Sequence, residues 1–375
     1  MQIAAEDLED LSAGAVFLAT GGGGDPYVAK LATFNLLTEL GPAEMIAVDD
    51  IDDDAYVVAV GNVGAPTVSL ELLPSVQDPA KVVAEFEKLV GRKVDAVVSF
   101  EIGGGNSLIP IMAAVSRGVP VVDGDGMGRA LPAAQMMTYP IAGVLPTPAV
   151  ALDYMGNTAS FSTDSTDTYE RHIRSLAMAM GGMIMAAEHP MTGRQLKESV
   201  VPGTVSFSMA VGRTLRENRG PAGRILGPLR ELFTTSLYGE MFHVFSGKVV
   251  DFASRIEGGF DVGKAIIEPF DKASEPLTVH VQNEYLSAQV GEQVLVSVPD
   301  LITILDCETS TPINTERLRY GQRVTVLGTG CPAFYRGEAA MRVVAPSCFG
   351  LPFDYVPVED LQRHHQAVTA APGAI

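Results

Sequence analysis

The stretch DAVVSFEIGGGNSLIPIMAAVSRGVPVVDGDGMGRALPAAQMMTYPIA, residues 95–142, constrains the fold more than any other. It reads as an apolar strand, a glycine loop, a helix, a second apolar strand and a second glycine loop carrying two aspartates, the pattern of a βαβ unit. Parallel strands joined in this way place their carboxyl ends, and the loops that follow, at one edge of the sheet, where open α/β folds bind ligands. Glu101, Asn106, Asp123, Asp125 and Arg129 all fall at that edge.

The flanking sequence extends the pattern. Leu8, Leu11, Ala15 and Leu18 recur at helical spacing, which predicts a helix over 5–18, with a strand as the competing reading of AVFLA. TGGGGDP (20–26) follows, and Pro26 suits the first turn of a helix reaching Leu40. EMIAV and AYVVAV read as strands divided by DDIDDD, and Asp78 with Pro79 opens a helix to Val90. Strands separated by helices predict an α/β N-terminal domain over 1–165 with a mostly parallel sheet. The loops 61–66, 101–106 and 123–129 then meet at one edge, while the place of the 20–26 loop stays open.

Proline and glycine punctuate 140–157, the expected exit from this domain. An α+β domain over 166–360 is expected next. The capping-box spacing of Asp167 and Glu170 predicts a helix to Ala187, Thr192 and Gln195 repeat the spacing for a short helix, and 203–218 read as a third. From Gly247 the chain turns β-rich, predicting a sheet or sandwich, and 361–375 reads as a flexible tail.

Composition narrows the function. The 375 residues are 47% hydrophobic, which indicates a large core, and carry a formal net charge of −19. No basic patch marks a nucleic-acid partner, and the acidic excess disfavours anionic membranes and polyphosphates. No apolar run reaches the length of a membrane span, and MQIAAEDLEDL lacks the basic start of a secretion signal. Three cysteines without a CxxC pair suit a reducing compartment, so a cytoplasmic location is expected. Base rates for soluble proteins favour a homo-oligomer.

Several residues carry chemistry. TGGGGDP is neither a Walker loop nor GxGxxG, yet Gly22, Gly23 and Gly24 allow backbone amides to approach an anion, or simply form a turn. Asp25 would oppose an anion, and reads as a base, a metal ligand or a helix cap. Glu101 after AVVSF needs a partner or solvent, and Asn106 reads as a helix cap or a ligand contact. Asp123 and Asp125 are candidate oxygen ligands for a divalent metal, though two carboxylates do not complete a site. Arg129 reads as a clamp for a substrate carboxylate or as the partner of one of these aspartates. Alternation along VQNEYL sends at least one of Gln282, Asn283 and Glu284 inward, with Asn283 a candidate for substrate contact. Cys331 in LGTGCPAF lacks an evident histidine partner, and the methionines at 178, 180, 183 and 185 read as helix-packing core.

At these motifs the chain resembles the two-domain S-methyl thiohydantoin desulfurase-like proteins. The resemblance rests on TGGGGDP, GAPTV, EIGGGNS and VVDGDGMGRA in the first half. In the second it rests on GKVVD, GGF, QNE, PDLI and the FG of SCFGLPFDYVPVE, so that it covers residues 6–360. It implies an α/β domain, a second domain of mixed topology, and hydrolysis of a five-membered hydantoin or thiohydantoin ring, a small cyclic ureide. Asp125, Glu101 and Asp25 are then the expected catalytic groups. In the family pattern a Pro-Glu pair follows GRA, whereas here Pro132 precedes Ala133. That departure keeps open a non-catalytic ligand-binding or regulatory partner of a hydantoinase-type enzyme, and the 20–26 loop keeps open a nucleotide-dependent enzyme.

Overall fold

The computed structural model describes residues 1–65, 67–68, 75–271 and 275–370, with side chains through His364. Pro66, the end of the expected 61–66 loop, and residues 371–375 of the expected tail lie outside the described residues.

The first sheet runs in the order Gln2–Ile3, Ala43–Ile46, Val121–Asp125, Ala96–Ser99, Tyr56–Gly64, Met183–Thr192, Ala149–Leu152 and Thr158–Phe161, and Val201–Pro202 pairs with Val121–Asp125. Its four consecutive strands from Ala43–Ile46 to Tyr56–Gly64 are parallel, as the βαβ pattern predicts. The flanks are antiparallel. They come from segments whose sequence reads differently. The expected exit at 140–157 contains the Ala149–Leu152 strand. The helix expected to reach Ala187 covers only Thr166–Ala179, capped by Ser165, whose hydroxyl accepts the Thr168 N–H at 3.3 Å. Gly181 and Gly182, at φ 102° and 95°, break the chain there, and Met183–Thr192 crosses the sheet between its two halves. Ile184, Met185, Ala186 and Ala187 are buried in succession on that strand and give a short continuous apolar run that periodicity does not separate from a helix.

The helix Leu8–Leu18 packs against Thr204–Glu217, one from each half of the chain. A β-carbon on Gly14 would meet the Ser208 carbonyl oxygen at 1.8 Å, and one on Gly212 would meet that of Asp10 at 1.7 Å, so glycine permits this contact. Asp10 and Arg216 add two hydrogen bonds of 2.8 and 2.9 Å across it.

The second half supplies helices first and then one seven-stranded antiparallel sheet, in the order Gln293–Ser297, Glu284–Val290, Leu277–Gln282, Phe260–Pro269, Met241–Glu257, Arg323–Thr329 and Leu301–Asp306. Leu277–Gln282 alternates buried and half-buried residues, and Val279, Ile267, Ile304 and Val326 belong to one core beneath the sheet. Leu286, Leu301, Leu305 and Leu327 instead join the core of the first half, so the two halves share a packed boundary. The expected flexible tail is in part a helix, Val358–Ala370. Val358 is fully buried, and Gln362 donates to the Leu295 carbonyl at 2.8 Å. No helix is long and apolar enough to cross a membrane among the described residues.

Candidate functional site

The loops after the parallel strands meet as the sequence predicts, and the 20–26 loop joins them. The expected 61–66 loop is strand as far as Gly64, and Asn106 Oδ1 accepts the Asn62 N–H at 2.8 Å, tying the end of the Tyr56–Gly64 strand to the loop after Ala96–Ser99. The Gly23 and Gly24 carbonyls accept the N–H groups of Asn106 and Gly105 at 3.2 and 3.0 Å. This packing is close: a β-carbon on Gly104 would sit 1.8 Å from the Gly24 oxygen. Together the loops and the second sheet wall a cavity of about 120 Å³.

The cavity has largely apolar walls with several carboxyl groups in its lining. Phe100, Met112, Met127, Met137, Met183 and Met185 line it, with Glu101, Glu284, Glu188, Glu170 and Asp25 among its polar groups. Met183 and Met185 thus belong to a strand facing the cavity and not to a packed helix.

Glu101 and Glu284 are the buried pair. Asn106 Nδ2 donates to Glu101 Oε1 at 2.8 Å, so Asn106 orients a carboxyl group and does not cap the Ile109–Arg117 helix. Burial raises the proton affinity of Glu101; the Asn106 hydrogen bond opposes this, and the negative charge of Asp125 adds to it. Glu284 arrives from the second sheet, beside Asn283, which is held at φ 57° with its side-chain oxygen accepting the Asp261 N–H at 2.8 Å. Burial pushes Glu284 far above the usual carboxylate range, and the charge of Glu101 pushes it further. Two buried carboxyl groups within electrostatic reach share a proton more readily than both ionise.

Other expected site residues sit elsewhere. Arg129 is fully buried and lies outside the cavity lining. Its guanidinium donates to the carbonyls of Ala130, Pro299 and Asp300 at 2.8–2.9 Å and to Thr20 Oγ1 at 2.6 Å. It therefore fastens the second half to the first. None of these bonds goes to Asp123 or Asp125. Asp125 is likewise fully buried outside the cavity lining; Oδ1 accepts the Met127 and Gly128 N–H groups at 2.6 and 2.7 Å and holds the glycine turn. Burial pushes its carboxyl up to about 7 against those hydrogen bonds. Asp123 Oδ1 accepts the Ser206 N–H at 3.0 Å. No third ligand joins these aspartates: among the described residues no three His, Cys, Asp or Glu side chains are grouped to hold a metal ion. The donor set therefore does not fit a metal at this pair.

Gly23 and Gly24 line the cavity, whereas Gly22 lies against Glu284. Asp25 lines it too, accepting the Tyr27 N–H at 2.9 Å and pairing with Arg317. Cys331 is buried away from the cavity, with its thiol pushed up to about 12 by burial, so it is no thiolate nucleophile. The sequence reading missed Glu188, and the Glu170–Arg174 pair that closes one side of the cavity. Glu188 carries the signal that singled out Glu101, a carboxylate at the end of an apolar run, but that run was read as the end of a helix.

Comparison with known proteins agrees with this architecture. The N-terminal domain of the S-Me-THD-like family matches residues 6–163 and its C-terminal domain matches residues 164–358. The fold is similar to a crystal structure of a protein from Chromobacterium violaceum, at 23% identity and a TM-score of 0.79, covering 96% of this chain and 100% of that one. No curated protein matches the chain. With matches that span both halves, the chain belongs to the S-Me-THD-like family, the S-methyl thiohydantoin desulfurase-like proteins.

Proposed function

We propose that this protein is a hydrolase of a hydantoin-type ring, with an S-substituted thiohydantoin as the favoured substrate. The observation that carries the reading is the pair of buried carboxyl groups, Glu101 and Glu284, at a small cavity with apolar walls. Once one member of such a pair ionises, its charge holds the proton on the other, which supplies an acid and a base in one place. The ionised carboxylate takes a proton from water as the water oxygen bonds to the ring carbon that bears sulfur and the C=N electron pair moves onto the ring nitrogen. The nitrogen pair then returns to the carbon, the C–S bond breaks, and the protonated partner gives its proton to the sulfur. The products are a free thiol and the iminol form of the ring, which tautomerises to the carbonyl compound, and the pair has exchanged roles. Asn106 holds Glu101 in place during both transfers.

The test is thiol release from an S-methyl thiohydantoin by the wild-type protein and by Glu101→Gln and Glu284→Gln. Release by the wild type that falls at least a hundredfold in both variants supports the reading. Undiminished release in either variant rejects the pair.

A second reading rests on Ala133, which lines the cavity where the family pattern carries a glutamate. A cavity short of one carboxyl group would bind the ring without turning it over, as a ligand-binding partner of another enzyme. A ureide that raises the melting temperature without product formation supports this reading, because a ligand of the native state alone stabilises it.

A further inference from the structure

Among the described residues that line the cavity, Arg174 is the one cation, set against Asp25, Glu101, Glu170, Glu188 and Glu284. It belongs to the Thr166–Ala179 helix and is nine-tenths buried. A buried guanidinium is costly unless its donors are used, and the protein uses two of its three nitrogens. Nε donates to Glu170 Oε1 at 2.9 Å. Nη2 donates to the Pro132 carbonyl at 2.7 Å and stands 2.8 Å from Glu170 Oε1. Glu170 is held in turn by the Ala134 N–H, 2.9 Å from its Oε2. Nη1 donates to nothing among the described residues, and it is not sealed from solvent.

The second sheet fixes the guanidinium from behind. The Phe260 ring lies beneath it, 4.4 Å from its carbon to the ring centroid, a cation–π contact. Gly259, at φ 84°, brings the hairpin tip so close that a β-carbon there would meet Arg174 Cδ at 2.8 Å. Asp261 ties the same tip to the first half by accepting the Thr67 N–H and hydroxyl at 3.2 and 3.0 Å. Glu170, the Pro132 carbonyl and Phe260 thus orient the planar fork and leave its Nη1 corner free. The reacting pair is within electrostatic reach: burial and the charge of Glu101 raise Glu284, and the charges of Arg129 and Arg174 oppose that rise.

The geometry points to Arg174 as a ligand-contacting residue that donates from Nη1 to the carbonyl oxygen of the bound ring. This rests on the ring-hydrolase reading and adds a required feature of the substrate, a ring carbonyl next to the C=N bond whose carbon bears sulfur. The chemistry needs a donor at that oxygen. As water adds to the carbon, the electron pair displaced onto the ring nitrogen spreads to the neighbouring carbonyl oxygen, where negative charge grows. A fixed guanidinium N–H binds that oxygen more strongly in the intermediate than in the substrate, and so lowers the barrier. The pair returns to the carbon as the C–S bond breaks, and Arg174 keeps its protons throughout.

The test compares two rings on the full chain: an S-methyl thiohydantoin, and the S-methyl cyclic isothiourea that has a methylene group in place of the ring carbonyl. Both are read as thiol release and as melting-temperature shift. Arg174→Met removes the donor, and Glu170→Gln is combined with it so that no buried carboxylate is left unpaired. The wild type is expected to favour the carbonyl ring, and the double variant to reduce that preference in kcat/KM by about tenfold or more. A wild type without the preference, or a preference that survives in the variant because both rings lose equally, would overturn the assignment. A variant that binds neither ring supports the contact if it melts with the wild type, and overturns it if it has lost stability. If the wild type binds without releasing thiol, the hydrolase reading fails, and the same preference read from the melting shifts decides the contact. If the wild type binds neither ring, both fail.

Discussion

A methyl group added to Gly22 would come within 2.1 Å of Glu284 Oε1. The glycine loop of the first half is thus the surface against which a carboxyl group of the second half rests. Gly22→Ala is expected to displace Glu284, costing about 1–3 kcal/mol of stability and abolishing the melting shift produced by a ring ligand. A variant that melts and binds like the wild type would mean that Glu284 has room to move.

Glu101→Gln keeps an oxygen for the Asn106 amide to donate to and removes a group whose ionisation burial opposes. Stability at pH 8 should hold or rise while turnover falls at least a hundredfold. Thermal melts and thiol release on the same preparation check both halves of this expectation.

Stability should fall as pH rises from about 4 to 8. Asp125 is pushed from 3.8 to about 7 by burial, Glu316 from 4.5 to about 7, and Glu101 and Glu284 are raised as well. The folded protein holds these protons after the unfolded chain has released them. Their contribution is therefore complete below the unfolded values and lost as pH climbs through the folded ones. For Asp125 alone the full effect is on the order of 4 kcal/mol. Urea melts across this range should show the slope, and Asp125→Asn, which keeps an acceptor for the Met127 and Gly128 amides, should flatten it.

Arg129→Met should destabilise the protein by about 3–5 kcal/mol, because four hydrogen bonds and the charge facing Glu284 vanish together. A residue that only clamped substrate would raise KM and leave the melting temperature alone. Chemical denaturation of the variant distinguishes the two.

Cys348 is exposed and Cys331 is buried with its thiol pushed up to about 12. A thiol reagent at pH 8 should modify Cys348 quickly and leave Cys331 untouched until urea opens the fold.

Local chemistry made much of this legible from sequence. Pro79 after Asp78, the Thr192–Gln195 capping box and the two glycine loops each encode their own geometry within a few residues. The meeting of Asn62, Glu101 and Asn106 followed from the parallel-sheet edge alone. What stayed hidden depends on distant partners. Nothing near Arg129 in the chain announces the carbonyls of Pro299 and Asp300 that absorb its donors. The run from Met183 to Ala187 reads as a helix continuation until Tyr56–Gly64 is there to pair with it. Glu188 went unnoticed for the same reason.

That inserted strand also governs the order in which the molecule assembles. On a ribosome, residues 1–163 emerge with Tyr56–Gly64 still lacking its antiparallel neighbour, and the Ala149–Phe161 hairpin has no edge to join. An unpaired apolar edge of that kind invites association with other chains. The nascent first half must wait for Thr192 to clear the exit tunnel before its sheet closes, so a fragment ending at 163 should aggregate where the full chain folds.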